Sequence, residues 1–233
     1  MTNTSVRVDN VTVAYGEVLA LDAVSAEITP GLTVLIGVNG SGKSSLIKTI
    51  VGAVKPLSGR IWVGDERASK ARANGKVAYV PQAESVDWDF PVTVQDVVSM
   101  GGYATHGGVS RSEVGHALER VGMGDLSHRQ IGELSGGQRR RVFLARAIVQ
   151  DAPVLVLDEP ATGVDPSAQK SFHRVLKSLV GEGRTVLMST HDLASVPDLA
   201  DDAIVLQQRV IAQGPPAETL TPEVLARAFG AAT

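Results

Sequence analysis

The chain has 233 residues, 43% of them hydrophobic, a formal net charge of −3 and no cysteine. That length supports one substantial core with room for a subdomain, and the lack of cysteine excludes disulfides and thiolate metal sites and fits a reducing compartment. Mild acidity leaves no electrostatic footprint for nucleic acid. No run reaches the roughly 18 apolar residues that span a bilayer, and Met1 to Arg7 lacks the basic-then-apolar order of a signal peptide. A soluble, cytosolic protein is expected, with any membrane role exerted through a partner.

The first elements read as strands. Val6/Val8, Val11/Val13, Val18–Leu21 and Val24–Ile28 alternate, and Pro30-Gly31 punctuates the chain before the apolar run Leu32–Ile36. Directly after that run comes Gly37-Val-Asn39-Gly40-Ser41-Gly42-Lys43-Ser44-Ser45. It fits G-x-x-x-x-G-K-[ST], in which glycines let backbone N–H groups curl around phosphates. A helix from Ser44 to about Ile50 would aim the positive end of its dipole at the same anion. Lys43 would reach the terminal phosphates, and the Ser44 hydroxyl would hold Mg²⁺. An accidental glycine turn would need neither the strand before it nor the helix after it.

Arg60–Val63 reads as a short strand, the polar stretch Asp65–Lys76 as a surface loop, and Val77–Val80 as a strand that stops at Pro81. From Gln82 to Gln150 the periodicity becomes helical. Helices are expected over Val92–Met100, from the capping box Ser110-Arg-Ser-Glu113 to Val121, and over Gly136–Val149. Gly101 to Gly108 reads as a flexible loop. Beyond Pro153, strands Val154–Leu157, Thr185–Ser189 and Ala203–Leu206 alternate with helices from Pro166 (Asp165 as N-cap) to Val180 and from Asp192. That order implies a parallel sheet with right-handed crossovers. Val210–Ala212 reads as an edge strand, and Thr221-Pro222-Glu223 opens a last short helix.

Two further motifs carry chemistry. Val154–Leu157 ends in Asp158-Glu159, at the carboxyl end of a buried strand where ligands of parallel sheets bind. Asp158 would hold Mg²⁺, and Glu159 would accept a proton from an attacking water. In Leu134-Ser135-Gly136-Gly137-Gln138, an ordinary helix cap explains Ser135 and Gln138. It does not explain two glycines in the first turn, which weaken a helix by about 1 kcal/mol each against alanine. A second anion-binding helix tip accounts for them. Two phosphate-binding elements far apart in one sequence suggest that they meet across a dimer.

On these motifs the whole chain resembles the ATP-binding subunits of ABC transporters. Gly37–Ser44 matches Walker A, Leu134–Gln138 the signature motif, and Val154–Asp158 Walker B with Glu159 as the following glutamate. Gln82 matches the Q-loop, Gly163-Val-Asp165 the D-loop and His191 the switch histidine, while Tyr15 falls where the family stacks an aromatic on adenine. The resemblance implies an α/β P-loop NTPase core with a mostly parallel sheet, an antiparallel β subdomain and a helical subdomain. The core would span 1–81 and 151–233, and the helical part 82–150. It also implies two ATP molecules sandwiched between two copies, with Gln82 sensing Mg²⁺ and the attacking water, and His191 contacting the γ-phosphate.

The segment Tyr79-Val-Pro-Gln82, Val86-Asp-Trp88-Asp-Phe90-Pro91 and Asp96 is similar to the manganese/zinc/iron importer branch, although Ala161 stands where that branch often has Phe. The branch implies Trp88, Phe90 and Pro91 as contacts for a membrane permease, and an indirect link to a substrate-binding protein. An exporter, or a soluble ABC ATPase without a transport role, is the alternative. His106, His116, His128 and His173 show no metal-ligand spacing, and Arg139–Arg141 reads as a solvated or subunit-facing patch.

Overall fold

The computed structural model describes residues 4–82, 91–104, 108–160 and 166–230. The expectations for Trp88, Phe90, His106, Ala161 and Asp165 lie outside these residues. Strands β1 (Val6–Tyr15), β2 (Val18–Ile28), β4 (Ser58–Val63) and β5 (Glu66–Arg67) form an antiparallel sheet in the order β2-β1-β4-β5. The second sheet contains β3 (Gly31–Ile36), β6 (Val77–Val80), β7 (Val154–Leu157), β8 (Thr185–Ser189), β9 (Asp202–Gln207) and β10 (Arg209–Gly214). Its order is β10-β9-β3-β8-β7-β6, parallel apart from β10, which runs antiparallel along the edge.

Side chains of period two split the parallel strands between two cores. Val34, Leu157 and Met188 face one side, where helices α3 (Val94–Ser99), α4 (Arg111–Arg120), α5 (Gly136–Val149) and α6 (Pro166–Gly181) bury them. Leu35, Val156 and Leu187 face the other side, against α1 (Lys43–Ile50) and the antiparallel sheet. Burial on both faces is why these strands read as unbroken apolar runs.

The helices keep to their sequence signals. Ser110 caps α4 and Glu113 returns the bond to the Ser110 N–H, a complete capping box. Phe172, Leu176 and Leu179 form the buried stripe of α6. An ion pair of Arg120 with Glu182, reinforced by Ser178, ties the end of α4 to the end of α6.

Four expectations need correction. The polar stretch Asp65–Lys76 is not a loop: it holds β5 and α2 (Ala68–Ala73), whose Ala68 and Ala71 supply the buried contacts. Two alanines gave too little apolar pattern to see. The expected helix Val92–Met100 begins at Val94, because Thr93 and Asp96 form a capping box. Gly101 and Gly102 are buried in a 3₁₀ turn at Met100–Ala104, and a Cβ on Gly101 would lie 2.3 Å from the Arg146 carbonyl oxygen. Close approach to α5, not freedom of movement, is what that glycine permits. Finally, the short helix expected from Asp192 is α7 (Val196–Leu199), while Asp192 accepts from the Ala194 N–H in the preceding turn.

α5 packs on α3, α4 and β6, and its Leu144 is fully buried. Leu144→Ala should lower the unfolding free energy by about 2–5 kcal/mol, measured by urea denaturation followed by circular dichroism.

Candidate active site

The parallel register brings three chain segments to one edge of the sheet. β3 pairs with β8 so that Leu35 lies opposite Ser189, and the Thr190 N–H donates to the Leu35 carbonyl at 3.2 Å. β8 pairs with β7 so that Met188 lies opposite Leu157. The loop Gly37–Gly42, the pair Asp158-Glu159 and the turn Ser189–His191 therefore leave neighbouring strands together.

The loop is a built cradle. Gly42 has φ 98°, and a Cβ there would lie 2.4 Å from the Ala20 carbonyl oxygen, so only glycine fits both the torsion and the space. It supplies no side-chain cap to α1, whose first turn has no acidic residue. The first N–H groups of α1 are thus left for an anion. Ser41 Oγ is buried without a hydrogen-bond partner among the described residues. Gly37 is buried, whereas Asn39, Gly40 and Ser44 are exposed and Ser45 is half-buried. From behind, the Gln208 N–H braces the loop by donating to the Ser41 carbonyl at 2.7 Å.

Lys43 is 6% exposed and folds back over the loop, donating from Nζ to the carbonyls of Gly37 (2.7 Å) and Val38 (3.1 Å). Burial pulls its ammonium below the ordinary lysine value, and the carboxylates of Glu159 and Asp158 oppose that shift.

Asp158 is 3% exposed, its N–H bonded to the Val80 carbonyl at 3.0 Å. Ser189 Oγ donates to Asp158 Oδ1 at 2.8 Å and accepts from the Glu159 N–H at 2.9 Å. Glu159 adopts φ 46°, a left-handed torsion uncommon outside glycine. Its Oε2 lies 3.7 Å from His191 Nδ1. Burial first, and then Asp158, push the Tyr79 phenol up to about 12, so it stays neutral. Gln82 is half-buried just past β6, and Tyr15 is exposed at the end of β1.

The glycine-pair segment opens a helix of its own, α5. Ser135 caps α5 with a complete capping box, accepting from the Gln138 N–H at 3.3 Å, while Gln138 Oε1 accepts from the Ser135 N–H at 2.9 Å. Among the described residues, nothing beyond its own helix and chain neighbours lies within 4 Å of where a Cβ on Gly136 would sit. Gly137 lines a small cleft with Pro160 and Phe172. Arg139 donates to the carbonyls of Ile131 and Gly132 and secures the turn before the tip.

Sequence reasoning passed over Ser189 and Gln208. Ser189 ends an apolar strand two residues before His191.

The ABC transporter family model matches residues 21–162. The chain is 47% identical to the manganese transport system ATP-binding protein MntA of Synechocystis sp., over 97% of this chain and 90% of that protein. It is 48% identical to the chelated iron transport system membrane protein YfeB of Yersinia pestis, over 96% of this chain and 78% of that protein. The chain belongs to the ABC transporter family. It is an ABC-type ATPase, and its fold agrees with solved structures. One is an ATP-binding cassette in its ADP conformation, with TM-score 0.84 and 26% identity, covering 97% of this chain and 98% of that one. Another is an inward-facing putative metal-chelate type ABC transporter, with TM-score 0.83 and 25% identity, covering 97% and 89%.

The G-x-x-x-x-G-K-[ST] pattern predicts Lys43 as the cation that meets the nucleotide's phosphates. A charge-assisted hydrogen bond contributes roughly 1.5–3 kcal/mol. Lys43→Ala should therefore weaken ATP binding by about ten- to a hundredfold, measured by calorimetry under conditions without turnover.

Proposed function

We propose that this ATPase energises a membrane permease that imports a divalent metal ion, manganese, zinc or iron, or a metal chelate. The observation that carries this reading is the 47–48% identity, along nearly the whole chain, to a manganese transport system ATP-binding protein and a chelated iron transport system membrane protein. The Tyr79–Asp96 segment resembles the same branch. No helix among the described residues is long and apolar enough to cross a membrane, so the reading seats the chain on the cytoplasmic face through its permease. Trp88, Phe90 and the exposed Pro91 would meet the permease there. A substrate-binding protein would deliver the cargo on the opposite side.

In the proposed mechanism Tyr15 stacks on adenine, and the N–H groups of Gly37–Ser45 together with Lys43 hold the phosphates. Mg²⁺, when bound with the nucleotide, neutralises charge on its phosphate oxygens. The residues present fit that role: Asp158 is a buried carboxylate with Oδ1 already oriented by Ser189, and the Ser44 hydroxyl is exposed at the start of α1. Gln82 would complete this set.

Glu159 accepts the proton of the attacking water. His191, 3.7 Å from the Glu159 carboxylate, reaches for the γ-phosphate. Ser135, Gly136, Gly137 and Gln138 act on nucleotide held by a second copy, with Asp165 at the shared interface. The space left around Gly136 among the described residues and the lack of acidic residues in the first turn of α5 support that placement.

Two experiments test this reading. Ser135→Arg places a bulky cation at the helix tip. It should leave ATP affinity of the monomer within about threefold while abolishing ATP-dependent dimers by light scattering. Full ATPase activity in that variant would contradict the shared site. Glu159→Gln should bind ATP yet turn over about 10²–10⁴ times more slowly. In vesicles carrying the co-purified permease it should stop ATP-driven manganese, zinc or iron uptake. Uptake of none of these by the unaltered complex would remove the metal-import reading.

A further inference from the structure

A fully buried hydroxyl joins the two acidic residues at the end of β7. Ser189 Oγ carries one hydrogen and lone pairs, and both kinds of site are engaged: it donates to Asp158 Oδ1 at 2.8 Å and accepts from the Glu159 N–H at 2.9 Å. The direction of this chain is dictated by its ends. An ionised carboxylate only accepts and a backbone N–H only donates, so the hydroxyl has a single orientation that satisfies both. The second bond falls on the residue that most needs holding. Glu159 sits at φ 46°, in the left-handed region where the Cβ of a non-glycine residue crowds its own backbone.

The remaining side of the turn is fixed by the same strand. Ser189 is the last residue of β8, two positions before His191, whose Nδ1 lies 3.7 Å from Glu159 Oε2. One side chain therefore orients the carboxylate assigned to Mg²⁺, the backbone of the proposed general base, and the strand end from which the histidine departs.

We propose that Ser189 is a positioning residue for ATP hydrolysis. Its hydroxyl locks Asp158 in the rotamer that serves nucleotide-bound Mg²⁺, and it pins the left-handed turn that aims Glu159 at the attacking water. This inference rests on the ATPase roles assigned to Asp158 and Glu159 above. Ser189 touches no reacting atom and acts through both of them.

The test compares Ser189→Val with Ser189→Thr, two side chains of the same shape that differ in the hydroxyl. Valine strands the buried Glu159 N–H and frees the Asp158 carboxylate, and the resulting misplacement of both groups should lower kcat by roughly 10- to 100-fold. The KM for ATP should stay within about threefold, because the phosphate cradle is untouched. Threonine should restore kcat to within about threefold of the unaltered protein.

A second readout needs no turnover. Electron paramagnetic resonance of Mn²⁺ bound with ATPγS should show that the valine variant requires several-fold more Mn²⁺ for half saturation, and that the threonine variant does not. Where valine overpacks the strand end and lowers the unfolding midpoint, Ser189→Ala supplies the same comparison without added volume. A hydroxyl-free variant with unchanged kcat and unchanged Mn²⁺ requirement overturns the proposal, as does a loss that threonine fails to restore. If Glu159→Gln were also fully active, the underlying ATPase assignment would fall as well. A slow Glu159→Gln beside a normal Ser189→Val would remove only the role of Ser189.

Discussion

The parallel register of β3, β8 and β7 is the constraint on which the site depends. Hydrogen bonding sets Leu35 level with Ser189 and Met188 level with Leu157. A shift of one residue in either pair would turn Val34, Met188 and Leu157 from the helical core towards the antiparallel one. Each strand face is filled by a different hydrophobic cluster, so a slip would misplace apolar groups on both sides at once. Packing thus fixes how far each strand extends, and thereby where the phosphate loop, the two carboxylates and the histidine turn emerge. The chemistry inherits its geometry from the cores.

At that edge, opposing electrostatic demands balance. Burial disfavours the charged form of Lys43, and the carboxylates of Glu159 and Asp158 favour it. Its two carbonyl partners satisfy part of its donor capacity at modest gain. Neutral carbonyls are weaker partners for an ammonium than phosphate oxygens. The loop is therefore preorganised in backbone, with Lys43 held by neutral carbonyls that an anion would outcompete. The tip of α5 has the same character: a firm capping box, no acid in the first turn and space around Gly136 among the described residues.

Much of this was legible in the residues because local and global signals agreed. Val154–Leu157 and Thr185–Ser189 occupy the strands expected of them, and Gly136–Val149 is the expected helix from end to end. Their period, caps and apolar runs all pointed the same way. What stayed hidden depends on contacts between distant segments. α2 is anchored by two small alanines under β4 and β5, too little apolar surface to mark a helix. The 3₁₀ turn after α3 looked flexible because glycine permits both freedom and close approach, and only the Arg146 carbonyl beside Gly101 separates the two. The side chain of Ser189 resembles any polar strand terminus until Asp158, 31 residues away, is placed against it.

The torsion of Glu159 shows why that distant contact matters. An apolar strand entering a polar turn would ordinarily relax into an extended or right-handed residue, with its side chain turned to water. Here the residue after Asp158 is held left-handed, a state that persists only where surrounding bonds over-determine it. The Asp158 N–H remains in the sheet, bonded to Val80, while the next N–H leaves the sheet for Ser189. Chain direction therefore changes between two consecutive residues. That change separates two adjacent carboxylates, which would repel one another if directed at one point, into different positions: Asp158 buried in the sheet edge and Glu159 beside His191. A single left-handed φ angle is thus the means by which one strand end points two adjacent acids in different directions.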